Sequence, residues 1–169
     1  ISVGCDNRQG GHAITQHLLD LGRRRIAFVG HASPHRPEFY DRYLGYCDAL
    51  RAAGIEPDAS LQVDAIDSTE RVGSRAVREL RDRGMEFDAV FAASDLLAIG
   101  TMHALDACGI RVPEDVAVVG FDDIPMANYV KPALTTVQQD TKRAGELLVE
   151  RLVQQVRGEA AQSAMLPAQ

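Results

Sequence analysis

Apolar and polar positions alternate in blocks along the 169 residues, short β-favouring runs giving way to stretches with an apolar residue every three or four positions. "ISVGC" (1–5) predicts a short buried strand, and Ala13, Ile14, Leu18 and Leu21 follow at helical spacing up to a stop at Gly22. "IAFVG" (26–30) predicts a second strand. A loop bearing Pro34 and Pro37 leads from it to a helix with the stripe Phe39, Tyr43, Tyr46 and Leu50, ending at Gly54. "LQV" (61–63) is a weaker strand, and "DSTE" (67–70) has the spacing of a capped helix start with Val72, Ala76 and Leu80 behind it. "FDAVFAA" (87–93) predicts a strand, and Ser94 and Asp95 begin a helix whose buried face is Leu96, Ile99, Met102 and Leu105. "VAVVGF" (116–121) is the next strand. The rhythm then breaks into the long loop "DIPMANYVKPA", an extended "LTTV" (134–137) and an amphipathic helix over 140–158.

Strands separated by crossover helices must run parallel, with helices on both faces of the sheet. The predicted class is therefore α/β. A hydrophobic content of 46% supplies a core for one domain or most of one. The formal charge of −6 argues against this segment itself gripping a nucleic-acid backbone, which requires clustered Lys and Arg. Cys5, Cys47 and Cys108 lie far apart, without a metal-ligand spacing, and read as reduced, cytosolic thiols. No metal or cofactor is predicted: there is no G-x-G-x-x-G or G-x-x-x-x-G-K, and His12, His17 and His103 lack a partner ligand at i, i+4. No membrane span or signal-peptide pattern occurs, but the chain opens on Ile inside a strand, so a segment upstream is expected.

Ligands of open parallel sheets bind beyond the carboxyl ends of the strands. The residues falling there are Asp6 and Asn7, Arg36 and Arg42, Asp64, Asp67 and Ser68, Ser94 and Asp95, and Asp122 and Asp123, with Phe39, Tyr43 and Phe121 as apolar walls. Such a rim of acceptors with a few guanidinium donors suits an uncharged polyhydroxyl or heterocyclic ligand. Asp6, Asp67 and Asp95 read equally as helix caps, and Asp123, before Ile124-Pro125, as a turn residue. Asp122 stands apart because it directly ends a buried strand. His31 and His35 flank a proline loop with no nucleophile nearby and no G-x-S-x-G elbow, which argues against a hydrolytic triad.

The segments "DN…GG", "HLLDLG", "RRIAFVG", "RYLGYCDAL", "FDAVFAASDLLAIGTMHAL", "GIRVPEDVAVVGFDDIPMANYV" and "PALTTVQQD", in this order, resemble the effector-binding core of the lactose-repressor (LacI/GalR) family of bacterial transcription regulators. The resemblance implies a two-lobed, periplasmic-binding-protein-like core, cytoplasmic and not an enzyme. Residues 1–138 would form the second lobe, 139–162 the crossover and helix returning to the first lobe, and 163–169 the start of a last strand. It further implies operator DNA bound by an upstream helix-turn-helix outside this chain, a small-molecule effector in the interlobe cleft, and a homodimer through Ile99, Met102, His103 and Tyr129. The effector contacts it implies are Arg42, Ser94 and Asp122, with Ser68, Phe121 and Gln139 beside them. Ser68 stands where several relatives place a stacking aromatic, which leaves the effector open between sugar-like and nucleoside-like molecules. The alternatives are a periplasmic sugar-binding protein of the same fold, and a phospho-receiver or magnesium enzyme on a doubly wound sheet. The stripe Leu147, Leu148, Leu152 and Val156 is expected to face a lobe that this chain lacks.

Overall fold

The computed structural model describes residues 1–169. Thirteen elements follow in order: β1 (Val3–Cys5), α1 (Asn7–Asp20), β2 (Ile26–Val29), α2 (Pro37–Ala52), a 3-10 turn (Ala59–Leu61), β3 (Gln62–Val63), α3 (Glu70–Asp82), β4 (Ala89–Ala92), α4 (Asp95–Ala107), β5 (Ala117–Val119), a second 3-10 turn (Pro125–Asn128), α5 (Thr141–Val156) and β6 (Ala164–Leu166). The parallel α/β class predicted from the pattern is the one observed, since β3-β2-β4-β5 form a wholly parallel sheet. After β3 the chain crosses back to the other side of β2, so the strand order reverses between β2 and β4. No helix is long and apolar enough to cross a membrane.

Successive side chains on a strand point to opposite faces, and this period divides the interior in two. Ala27, Val29, Val63, Val90, Ala92 and Val118 meet α3 and α4 on one face. Ile26, Phe28, Ala89, Phe91, Ala117 and Val119 meet α1 and α2 on the other, where Phe28, Tyr43, Tyr46 and Phe91 form an aromatic cluster with ring centroids 5.2 to 5.9 Å apart. Because β2 and β4 are covered on both sides, they read in the sequence as continuous apolar runs.

Each helix pair crosses on opposed glycines. A Cβ on Gly45 would stand 2.6 Å from the His12 amide nitrogen, and one on Gly11 would stand 2.9 Å from Cα of Arg42. On the other face, a Cβ on Gly100 would collide with the Glu70 backbone, 2.7 Å from its Cα, and Gly73 meets α4 in the same way. Backbone-to-backbone approach of this kind leaves no room for a methyl group.

The structure departs from the sequence pattern in several places. β1 does not enter the four-stranded sheet; it pairs in parallel with β6, Val3 opposite Ala164 and Cys5 opposite Leu166, and is half-buried rather than buried. Three residues of mixed polarity could not distinguish a sheet-centre strand from one in a separate two-stranded sheet. The cap of α3 is Thr69, whose Oγ1 accepts from the Val72 amide at 3.3 Å, not Asp67. Leu21 is exposed beyond the end of α1, and Leu19 takes its place in the core. Leu96 and Ile99 are half-buried, while Leu97 and Ala98 are the fully buried residues of that turn of α4.

Substituting Gly100 by Ala must push α3 and α4 apart. We expect a loss of about 1–3 kcal/mol, the usual range for overpacking a tight interior. Thermal unfolding of Gly100→Ala beside Gly54→Ala would measure it against a glycine with an open Cβ direction but a positive φ of 75°.

Candidate ligand-binding cleft

The centre of the candidate site is a guanidinium without access to water. Arg42 lies on α2, one helical turn beyond the partly buried Phe39, and is only 5% exposed. Gly11 permits this placement, because α1 passes directly against the Arg42 backbone. From there Arg42 Nε donates to Asn7 Oδ1 at 2.8 Å, and Nη1 donates to the Ala93 carbonyl at 2.5 Å, where β4 ends. Its Nη2 lies 3.3 Å from Asp122 Oδ1. The plane stands 3.8 Å over the centroid of Phe121 and 5.2 Å from that of Phe39. A planar, weakly hydrated cation suits burial between an aromatic face and several acceptors.

Asp122 follows β5 and has φ 119°, while Asp123 has φ 56°. Positive φ is uncommon outside glycine and costs energy at the first of these values in particular. The surrounding bonds enforce it. Asp122 N donates to the Val137 carbonyl at 2.9 Å, Gly120 N to the Thr135 carbonyl at 2.9 Å, and Gln139 Nε2 to Asp122 Oδ1 at 2.6 Å. The extended segment after the long loop thus continues the sheet edge through bridges Val119–Thr135 and Asp122–Gln138. Asp95, wholly buried, locks the same junction by accepting from Ile124 N at 2.8 Å and Thr136 Oγ1 at 2.5 Å.

Burial acts on both charges. It pushes the Asp122 carboxyl up from its ordinary value, against the downward pull of Arg42 and Gln139, and it lowers the Arg42 guanidinium despite the nearby carboxylate. Asp122 Oδ1 takes the contacts of both Arg42 and Gln139, and the side chain stays 32% open to solvent. Burial also raises the Cys5 thiol beside this pair, so that position offers a neutral thiol rather than a thiolate.

The structure brings Arg42, Phe121, Asp122 and Gln139 together, with Phe121 beneath the guanidinium, and gives the candidates Ser94 and Ser68 other surroundings. Ser94 is 3% exposed and caps α4, its Oγ accepting from Leu97 N at 3.4 Å. Phe121 is fully buried beneath the Arg42 guanidinium, so it orients the arginine instead of forming a wall open to solvent. Ser68 is half-buried just before the cap of α3. Asp6 caps α1, accepting from Gln9 N at 2.9 Å. Asn7 was visible only as a rim residue; its part in holding Arg42 has no signal in local spacing, because the two are 35 residues apart. No group of three or more His, Cys, Asp or Glu could hold a metal. Of the residues implied in dimerisation, Met102 is buried in the core and Ile99 half-buried against it, whereas His103 is exposed and Tyr129 is 83% exposed.

Residues 15–167 match the family model described as a periplasmic binding protein-like domain. The chain belongs to the LacI/GalR family of these domains. It is 44% identical to the HTH-type transcriptional regulator CelR of Thermobifida fusca over 97% of its own length and 48% of that protein's. With the HTH-type transcriptional regulator AscG of Escherichia coli it shares 37% identity over 90% of this chain and 45% of the relative. The chain thus spans about half the length of the curated relatives it matches. Among solved structures, a transcriptional regulator CelR–cellobiose complex superposes with a TM-score of 0.94 at 41% identity, covering 100% of this chain and 52% of the other. A sugar-binding LacI-family regulator from Escherichia coli complexed with phosphate superposes at 0.89 and 33%, covering 98% and 59%.

A carboxyl group whose folded pKa is raised favours the folded state below its unfolded pKa, near 3.8, and that contribution is lost as pH rises through the folded value. Asp122→Asn mimics the neutral form and leaves Arg42 its bonds to Asn7 and Ala93. Its melting temperature at pH 7 should equal or exceed that of the unsubstituted chain, the difference closing toward pH 3. Arg42→Ala removes the guanidinium from all its partners and should cost about 3 kcal/mol, as broken buried ion pairs do. Thermal melts of both variants across pH test the contrast.

Proposed function

We propose that this chain is the effector-binding part of a DNA-binding transcriptional regulator, not an enzyme, and that Arg42, Asp122 and Gln139 take the hydroxyls of a sugar-like effector. The observation that carries this reading is Asp122, partly open to solvent, held between a buried arginine and Gln139 at the carboxyl end of the sheet. It lies one strand from the reversal between β2 and β4, the region where open parallel sheets take their ligands. Cellobiose is the first probe to use, because a CelR–cellobiose complex shares this fold at 41% identity.

Residues 139–162 would return the chain to a first lobe, and β1 with β6 would form the lobe-side end of the crossover. Leu148, Leu152 and Val156 of the expected α5 stripe support this, with Val149 and Val153 beside them, all exposed in this chain although none would prefer water; Leu147 of that stripe is half-buried. The mechanism would be allosteric: an effector between lobes shifts their arrangement by no more than its difference in affinity for the two states. A cytoplasmic homodimer would carry that shift to operator DNA through an upstream domain. His103, exposed on α4, and Tyr129, exposed at the end of the second 3-10 turn, would lie at the dimer contact.

In calorimetric titration of the full gene product with cellobiose and other sugars, Asp122→Ala should weaken binding at least tenfold, the loss of about 1.5–3 kcal/mol expected for a hydrogen bond to a charged group. Undiminished affinity, or a wild-type protein that binds no sugar, defeats the reading. For the lobe assignment, Leu152→Glu should leave the melting temperature of the isolated 169-residue chain unchanged and lower that of the full gene product by several degrees. Equal effects in both would contradict it.

A further inference from the structure

A second polar pair stands at the same end of the sheet, outside the Arg42 cluster. His31 Nδ1 lies 2.7 Å from Asp64 Oδ1. The two follow neighbouring strands, β2 and β3, whose pairing continues past their ends: Gly30 N donates to the Val63 carbonyl at 3.1 Å and Ala65 N to the Gly30 carbonyl at 3.4 Å. This ladder fixes the two loops side by side. Asp64 keeps half of its side chain in solvent, at 53%, while that of His31 is mostly covered, at 22%. Two residues beyond Asp64, in the same loop, Ile66 is 63% exposed. The pair plays no part in the core, and nothing in the contacts of Arg42 or Asp122 needs it.

We infer that His31 and Asp64 form a second subsite that reads the far ring of a glycoside longer than one sugar, an inference that rests on the sugar-like effector proposed above. Strand order places Asp64 beyond β3 and Asp122 beyond β5, three strand spacings apart, or about 14 Å at the spacing of hydrogen-bonded strands. That row is too long for a single pyranose and accommodates two rings end to end. The chemistry at its far end matches a sugar ring on two counts. The free carboxylate oxygen of Asp64 accepts from hydroxyls, and the imidazole, oriented by Asp64, presents its other nitrogen as donor or acceptor. Ile66 offers an apolar surface in the same loop for the C–H face of a pyranose.

The test is calorimetric titration of the full gene product with glucose, galactose, cellobiose, maltose and lactose, repeated on His31→Ala, Asp64→Asn and Asp122→Ala, with melting temperatures recorded for each. The expected result is a disaccharide bound at least tenfold more tightly than its monosaccharides, with that preference falling about tenfold in His31→Ala and Asp64→Asn at unchanged melting temperature. Asp122→Ala should weaken both classes of sugar. If His31→Ala and Asp64→Asn retain the full disaccharide preference, or if a monosaccharide binds as tightly as any disaccharide, the second subsite is wrong and the sugar-binding cleft stands. If no sugar binds the unsubstituted protein, both fall together.

Discussion

A guanidinium removed from water is the constraint around which the rest of this chain is arranged. Arg42 reaches three separate parts of the fold: Asn7 at the start of α1, the end of β4 through the Ala93 carbonyl, and the loop after β5 through Asp122. Burying such a charge is tolerable only when each donor finds an acceptor and the remaining surface meets a polarisable neighbour. Phe121 supplies that neighbour, and the ring is itself pressed close to Gly10 of α1. The glycine crossing of α1 and α2 thereby belongs to the same arrangement, since any side chain at Gly11 would displace Arg42.

Asp95 does for the crossover what Arg42 does for the cleft. Its backbone nitrogen donates to the Phe121 carbonyl at 2.8 Å while its carboxylate holds Ile124 and Thr136. One buried side chain at the first turn of α4 thus ties that helix to the strained Asp122–Asp123 corner and to the strand running toward α5. Displacement of the corner would be felt directly at α4. Leu134 N, donating to the Ala127 carbonyl at 2.9 Å, closes the loop between them onto itself.

Much of this was legible in the order of the residues, for identifiable reasons. Two-sided burial makes β2 and β4 uninterrupted apolar runs, and the period of the aromatic stripe on α2 puts Tyr46 and Leu50 inside. Asp122 and Gln139 could be placed near each other because the resemblance supplied the long-range pairing that local pattern does not contain. What stayed hidden were relations across distance. Nothing in "ISVGC" says that its partner is a strand some 160 residues later, as the Val3–Ala164 register is. Nor does a serine before a helix announce whether its hydroxyl will serve a ligand or, as at Ser94, a backbone amide. The aspartates that double as caps and rim acceptors separate only when their partners are seen: Asp6 turns inward to its own helix, and Asp122 does not.

The position of Gln139 shows how occupancy of such a cleft could reach the rest of a larger protein. Its amide holds Asp122, and the next residue, Asp140, caps α5 by accepting from Arg143 N at 2.9 Å. The side chain that hydrogen-bonds the strand-end carboxylate is therefore next to the cap of the helix carrying the exposed apolar residues. A ligand that took over the carboxylate's hydrogen bonds would release Gln139 from that duty, and one that bridged both would tighten it. The two cases would bias the crossover in opposite directions with the same residues, each by no more than the ligand's difference in affinity for the two arrangements.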